Sequence, residues 1–286
     1  MSKYNYNKDY FQQIDTCDKA YWLGFLYADG CINRVFKNEK LKNMSLELSL
    51  CGEDKNHLVK LNKSLNSNVE IHKRMSKFKD KRYETYRLII SCTKLCYDLI
   101  DKKCTPNKTY DIRLPSFDIV PKEYMRDFLR GFFDGDGCIC ITTMNSQPHI
   151  ETVITGIEAM LKDIASFLIN EKIITVNPKI HHDKRSKACS MYFYGDTVKD
   201  FLDYIYKDSN LYLDRKYDKY IDYYKNYVLN RHGVNWSNLN KAYIVTIRIN
   251  NKHIRVGQSK DLETAIKMRK EAEIQKMNTE NCPLSQ

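Results

Sequence analysis

WLGFLYADGCI at residues 22–32 returns as LRGFFDGDGCI at residues 129–139. Gly, Phe, Asp, Gly, Cys and Ile recur at the same places, offset by 107 residues. A repeat of this length governs the fold before any single element does. The stretches downstream of the two copies are also alike. After the first come a polar stretch, MSLELSL at 44–50, a helical pattern at 53–65, VEIHKRM at 69–75, YETYRLII at 83–90 and TKLCYDLI at 93–100. After the second come CICITTM at 138–144, HIETVITG at 149–156, a helical pattern at 157–169, VNPKIHH at 176–182, SMYFYG at 190–195 and TVKDFLDYIY at 197–206. Each unit reads helix, two strands, helix, two strands, helix. The expectation is an α+β chain with tandem halves over 1–112 and 113–228.

The strand assignments rest on period two. Leu46, Leu48 and Leu50 point one way while Ser45, Glu47 and Ser49 point the other. Glu84 and Tyr86 oppose Thr85 and Arg87. One apolar and one polar face describe an antiparallel sheet covered on one side. A polar face carrying Arg, Tyr, Ser and Thr is an ordinary exterior or a surface for nucleic acid.

The motif itself sets stricter demands. Gly24 and Ala28 lie four apart, as do Gly131 and Gly135, which puts each pair on one helical face. Small residues on one face let two backbones approach closely. Glycine inside a helix costs about 1 kcal/mol relative to alanine, so two helices carrying it at equivalent places are expected to pack together. Gly30 and Gly137 suit left-handed C-terminal caps. Asp29 and Asp136 then sit at helix C-termini, where a carboxylate faces the negative end of the helix dipole. Two such ends meeting would crowd two carboxylates, and a divalent cation would relieve both problems. Asp-Gly is also a common turn dipeptide; two copies, each behind Gly-x-x-x-small, favour the metal reading.

The chain has 286 residues, a formal net charge of +11 and 29% charged residues. Positive net charge bears on partners and suits a polyanion. Ten cysteines contain no Cys-x-x-Cys pair; Cys92/Cys96 and Cys138/Cys140 have no matching His or Cys cluster, which argues against a structural zinc site. The polar N-terminus and the lack of any ~18-residue apolar run predict a soluble intracellular protein without a membrane partner, its thiols reduced and serving as small core residues.

WLGFLYADG and LRGFFDGDG resemble the paired LAGLIDADG motifs of homing endonucleases, and the likeness in element order covers about 20–225. The resemblance implies that the two motif helices form the interface of pseudo-twofold halves and that the two sheets form a saddle on the major groove. It implies a site-specific endonuclease, making a double-strand break in a long asymmetric DNA target for homing of a mobile intron or similar element. Asp29 and Asp136 are then the metal-binding catalytic acids, with the Ala28 and Gly135 carbonyls beside them and Mg2+ as the cofactor, Mn2+ substituting. Asp134, whose counterpart is Tyr27, is not expected to be an essential ligand. Lys108 in TPNKTYDIRLP and Lys216 in LYLDRKYDKY stand where the family places an active-site lysine. Thr85, Arg87 and Tyr192 are the expected DNA contacts of the saddle. Glu53 and Glu158 align too loosely to be assigned.

Residues 232–280 form a third part. AYIVTIRI alternates, Asn250-Asn251 marks a hairpin turn, HIRVG returns, and Ser259 or Asp261 can cap a helix through LETAIKMRKEAE. This three-stranded sheet with one helix resembles the plant ethylene-response-factor type of DNA-binding domain. The resemblance implies that Thr246, Arg248, His253 and Arg255 face DNA. Double-stranded DNA is thus the expected partner of a monomer. An intron-RNA maturase and a non-cleaving DNA-binding regulator are the alternatives.

Overall fold

The computed structural model describes residues 4–78, 80–106, 112–144, 147–182, 188–223, 233–249 and 252–280. Two compact units emerge, Met1–Asp218 and Lys219–Gln286.

The first unit contains the repeat twice. Helix α1 (Cys17–Ala28), strands β1 (Cys31–Lys37) and β2 (Lys40–Cys51), α2 (Lys55–Ser64), β3 (His72–Phe78), β4 (Lys81–Ile90) and α3 (Thr93–Asp101) make the first half. The second repeats that order with α4 (Met125–Asp136), β5 (Gly137–Met144), β6 (Gln147–Gly156), α5 (Glu158–Asn170), β7 (Lys179–His182), β8 (Cys189–Tyr194) and α6 (Asp196–Tyr206). Helix α7 (Asp214–Tyr223) comes next. Both sheets are antiparallel with matching strand orders, β1-β2-β4-β3 and β5-β6-β8-β7. The expected α+β architecture of tandem halves is what the chain adopts.

Why the sheets have one dry face is visible in the register. Leu46, Leu48 and Leu50 pair with Ile90, Leu88 and Tyr86, and the five aliphatic ones are buried. In the second sheet Ile154 and Thr152 pair with Met191 and Phe193, all four buried. The opposite faces are less buried: Glu47, Ser49 and Arg87 stand on the first, and Cys138, Val153 and Tyr192 on the second, each exposed or half-buried. The β1–β2 turn places Asn38 and Glu39 at φ 50° and 61°, the left-handed pair that hairpins require.

Helices α1 and α4 are the core of the unit. Ala20 through Tyr27 of α1 are buried without a break, and so are Asp127 through Asp134 of α4. A helix buried all round belongs inside, and each of these lies against the other. A Cβ on Gly24 would stand 2.0 Å from the Phe128 carbonyl oxygen, and one on Gly131 would stand 1.9 Å from that of Tyr21. Those contacts are related by the 107-residue offset, so the helix pair is symmetric at its tightest point.

Three expectations change. Gly30 and Gly137 do not cap their helices in the left-handed region: Gly137 has φ −97°, and Gly30 is not among the positive-φ residues. They are small because a Cβ would strike Leu26 or the Phe133 ring, at 2.8 and 2.1 Å. The cysteines are not uniformly core residues. Cys96, Cys104 and Cys189 are buried, but Cys17, Cys31, Cys51 and Cys138 are exposed. The polar stretch after the first motif is strand β1, whose single buried residue, Ile32, gives no alternation to read.

The second unit contributes β9 (Val234–Ser237), β10 (Ala242–Ile249), β11 (Lys252–Ser259) and α8 (Leu262–Glu280), with sheet order β11-β10-β9. Val234, Val245 and Ala265 form its core, with Tyr243, Val256, Leu262 and Met268 packed around them. The Asp261 carboxylate accepts from the Thr264 N–H and hydroxyl, at 2.8 and 2.7 Å, which fixes the start of α8. The helix runs on past LETAIKMRKEAE to Glu280, since no proline or glycine intervenes to break it. Asn250 and Asn251 lie outside the described residues, between the paired Ile249 and Lys252.

Candidate active site at the joined helix ends

The glycine contacts bring the C-terminal turns of α1 and α4 side by side. A Cβ on Gly135 would fall 2.2 Å from Ala28 Cβ and 3.5 Å from Asp29 Oδ2. Asp29 is the C-cap of α1, its N–H bonded to the Phe25 carbonyl at 2.9 Å. Asp136 is the last residue of α4. Asp29 is exposed and Asp136 half-buried. Asp29, Asp136, Ala28 and Gly135 therefore lie on the two turns that meet.

Lys216 is the third charged group of this place, and it is buried. Its Nζ donates to the carbonyls of Phe133, Asp134 and Gly135, at 2.8, 2.7 and 3.2 Å. Those oxygens belong to the last turn of α4, where the Phe133 carbonyl also accepts from the Gly137 N–H, so the ammonium neutralises the negative end of that helix beside Asp136. Burial pulls the amine down to about 8, Arg215 adds to the fall, and Asp134 and Asp29 oppose it. The amine is still charged at neutral pH. Lys108 lies outside the described residues.

Asp134 faces the other way, into the protein. Its carboxylate accepts from Tyr21 and Tyr206 hydroxyls, at 2.7 and 2.5 Å, and from the Leu213 N–H at 2.8 Å. Tyr21 also meets His57 Nε2 at 3.0 Å. The chain of bonds ties α2, α1, α4 and α6 together across the halves. Burial lifts the Asp134 carboxyl above its usual range, against the pull of Lys216 and the three donors. Burial drives His57 down to about 3, and Lys60, Lys216 and Arg215 add to the fall. Arg130 completes the buried polar set, bonding Asp127 at 2.5 Å and the Leu211 and Ile205 carbonyls at 2.7 and 3.0 Å. The sequence flagged Asp134 only by its odd counterpart, Tyr27; nothing in it pointed to His57, Tyr206 or Arg130.

The open sheet faces flank this centre. On the first, Asn33 Nδ2 donates to Glu47 at 2.8 Å, and Arg87 meets the other Glu47 oxygen at 3.3 Å. Thr85 is buried; its hydroxyl donates to the Arg74 carbonyl at 3.1 Å and meets Ser76 Oγ at 2.9 Å. On the second, Tyr192 stacks on Tyr194 at 5.9 Å with 5° between the rings, and meets His181 edge-on at 5.2 Å. Register matches the faces residue for residue. Cys31–Glu47–Ile89 corresponds to Cys138–Val153–Tyr192, and the Ser49–Arg87–His72 row to Thr155–Ser190–His181. Asn33, Glu47 and Arg87 thus have Cys140, Val153 and Ser190 as counterparts.

In the second unit Thr246 pairs with Arg255 and Arg248 with His253, and Thr246, Arg255 and His253 fall on the face opposite the buried Val245 and Ile247. The Thr246 N–H donates to the Gly233 carbonyl at 2.6 Å. The Arg248 side chain lies outside the described set.

Paired halves joined through glycine-bearing helices, with open sheets on either side, define the class of fold. Residues 123–206 match the LAGLIDADG-like domain family. Among solved structures, I-SmaMI bound to an uncleaved DNA target in the presence of calcium ions superposes with a TM-score of 0.50 at 13% identity, covering 78% of this chain and 92% of that one. The I-LtrWI LAGLIDADG homing endonuclease bound to target DNA gives 0.49 at 14% identity, with 79% and 92% covered. Among curated proteins, the probable translation initiation factor IF-2 of Methanocaldococcus jannaschii is 28% identical over 167 residues, which is 58% of this chain and 12% of that protein. Among the described residues, no helix is long and apolar enough to cross a membrane.

Proposed function

We propose that this chain is a metal-dependent, site-specific DNA endonuclease that cuts both strands of one long, asymmetric target. The observation that carries the reading is the meeting of two helix ends, each with a carboxylate, between two open sheets. The match of the second half to the LAGLIDADG-like domain family supports it.

The residues suit a hard divalent cation. Among those described, no three His, Cys, Asp or Glu side chains converge, so the protein offers two carboxylates and the Ala28 and Gly135 carbonyls. Mg2+ is typically held by one or two carboxylates, with water and substrate phosphate filling the shell. When bound, such an ion supplies an activated water and neutralises charge at the phosphate. The protein's own part is placement. The glycine contacts fix the distance between Asp29 and Asp136, the Asp134 network fixes the direction of α4, and Lys216 holds its last carbonyls while adding a positive charge. Lys216 serves as a positioning residue whose charge also favours the developing anion.

The sheet faces read the two ends of the target differently. Arg87, Asn33 and Glu47 offer hydrogen bonds that match guanine, adenine and cytosine edges. Of their counterparts, Val153, beside Tyr192 and Tyr194, offers apolar contact of the kind a thymine methyl accepts, and Ser190 offers a hydroxyl. One chain with two unlike halves needs no partner copy, so the active form is a monomer. Thr246, Arg255 and His253 of the second unit, with Arg248, add a further DNA surface of the ethylene-response-factor kind. Homing of a mobile element is the role that this activity serves.

Incubation with a randomised plasmid library in Mg2+, with subsequent mapping of ends, tests the reading. Staggered ends at one recurring non-palindromic sequence are expected. Uncut library at high protein concentration, in Mg2+ and in Mn2+, would refute it.

A further inference from the structure

The strand that leaves Asp136 carries a feature that DNA cleavage does not use. Cys138 and Cys140 are two apart on β5, and their Sγ atoms lie 3.5 Å from each other. Both project to the open face: Cys138 is cross-strand from Val153, and Cys140 from Glu151. Cys138 is exposed and Cys140 half-buried. The first half has no such pair, because Cys31 corresponds to Cys138 while Asn33 stands where Cys140 would be. Cys31 instead donates weakly to the Asn33 oxygen at 3.5 Å.

We propose that Cys138 and Cys140, on the strand that begins directly after Asp136, form a two-thiolate seat for a thiophilic divalent cation of the zinc and cadmium class, distinct in donor type from the hard-cation position at Asp29 and Asp136. The geometry is close to ready. Two thiolates at about 2.3 Å from a tetrahedral ion stand about 3.8 Å apart, so the sulfurs need to open by only a few tenths of an ångström. Soft thiolates select such ions, whereas Mg2+ prefers oxygen. The Glu151 carboxylate, directly across from Cys140, adds negative charge on the same face, and cross-strand pairs of this kind have Cβ atoms about 5 Å apart. Solvent fills the remaining positions. This is an open surface seat, unlike the closed four-ligand zinc sites that the cysteine spacing argues against.

Titration of the full chain with Cd2+, under reducing conditions and in excess Mg2+, tests the proposal without any cleavage assay. One equivalent should raise a sulfur-to-cadmium charge-transfer band in the ultraviolet. Cys138→Ser or Cys140→Ser should weaken binding at least tenfold, and the double substitution should remove that equivalent. Cys31→Ser should leave it intact. A variant-free check uses the wild type: Cd2+ should protect Cys138 and Cys140 together from alkylation, read by peptide mass. An unchanged band in the folded double variant, loss of the band in excess Mg2+, or equal alkylation of both thiols with and without Cd2+ would overturn it.

Discussion

At the residue scale the three acids of the two motifs separate by what they touch. Asp29 and Asp136 end their helices at the open side, while Asp134 is buried under three donors. Asp29→Asn or Asp136→Asn should therefore abolish double-strand cleavage, keep DNA binding within about tenfold, and leave the thermal midpoint nearly unchanged. Ca2+ should support binding without cleavage. Asp134→Leu should do the opposite of a clean catalytic loss. It strands Tyr21, Tyr206 and the Leu213 N–H, and stability should fall by about 3 kcal/mol or more, read as a drop in the urea midpoint. His57 gives a pH signature. Its folded value near 3 lies below the ordinary 6.5, so between those limits the unfolded chain binds the extra proton. Stability contributed by neutral His57 is complete above about pH 6.5 and is lost as pH falls toward 3. Asp134, raised by burial, works against this trend, because as pH falls the folded chain takes up its proton before the unfolded chain does. The difference profile between wild type and His57→Gln isolates the histidine: the variant's acid limb should be shallower over that window. Parallel profiles would show that His57 is not held neutral.

At the element scale the glycine pairs set the strictest condition. Gly24→Ala or Gly131→Ala gains about 1 kcal/mol of helix propensity, yet sets a methyl group 2.0 or 1.9 Å from a main-chain oxygen of the partner helix. The helices must separate, so a net loss of roughly 1–3 kcal/mol is expected, with loss of cleavage from the shifted Asp29 and Asp136. A stabilised alanine variant in chemical denaturation would contradict the packing. This packing was legible because the demand for small residues appears twice at a fixed offset. The sheets were legible where one face is dry, as at Leu46, Leu48 and Leu50. Strand β1 was not, because only Ile32 is buried and its turn uses Asn38-Glu39 rather than Asn-Gly. The end glycines mislead because a close approach to Leu26 and Phe133 demands the same residue as a left-handed cap. The His57–Tyr21–Asp134–Tyr206 chain joins positions far apart in sequence, and no local spacing marks it.

At the scale of the whole molecule, charge and duplication set the expectations. The net charge of +11 favours DNA at low salt. Deleting the chain from about residue 230 should weaken DNA binding and lower the slope of log affinity against log salt by about two or three units, since each phosphate contact contributes roughly 0.9. The remaining chain should still cut at high concentration, because Asp29, Asp136 and Lys216 all precede the deletion. Equal affinities and slopes for both forms would mean that the second unit does not bind the target. Light scattering with a single target duplex should show one chain per site; a stable dimer on a palindrome would exclude fused halves as the working form.

The proposed cleavage activity turns on whether the two carboxylates at the joined helix ends together carry double-strand cleavage. Strand-resolved cleavage of the mapped target by wild type, Asp29→Asn and Asp136→Asn, in Mg2+ and with binding verified for each, tests this most directly. Staggered double-strand breaks are predicted from the wild type alone, and no double-strand breaks from either variant. An Asp136→Asn protein that still cuts both strands at the wild-type rate would contradict it.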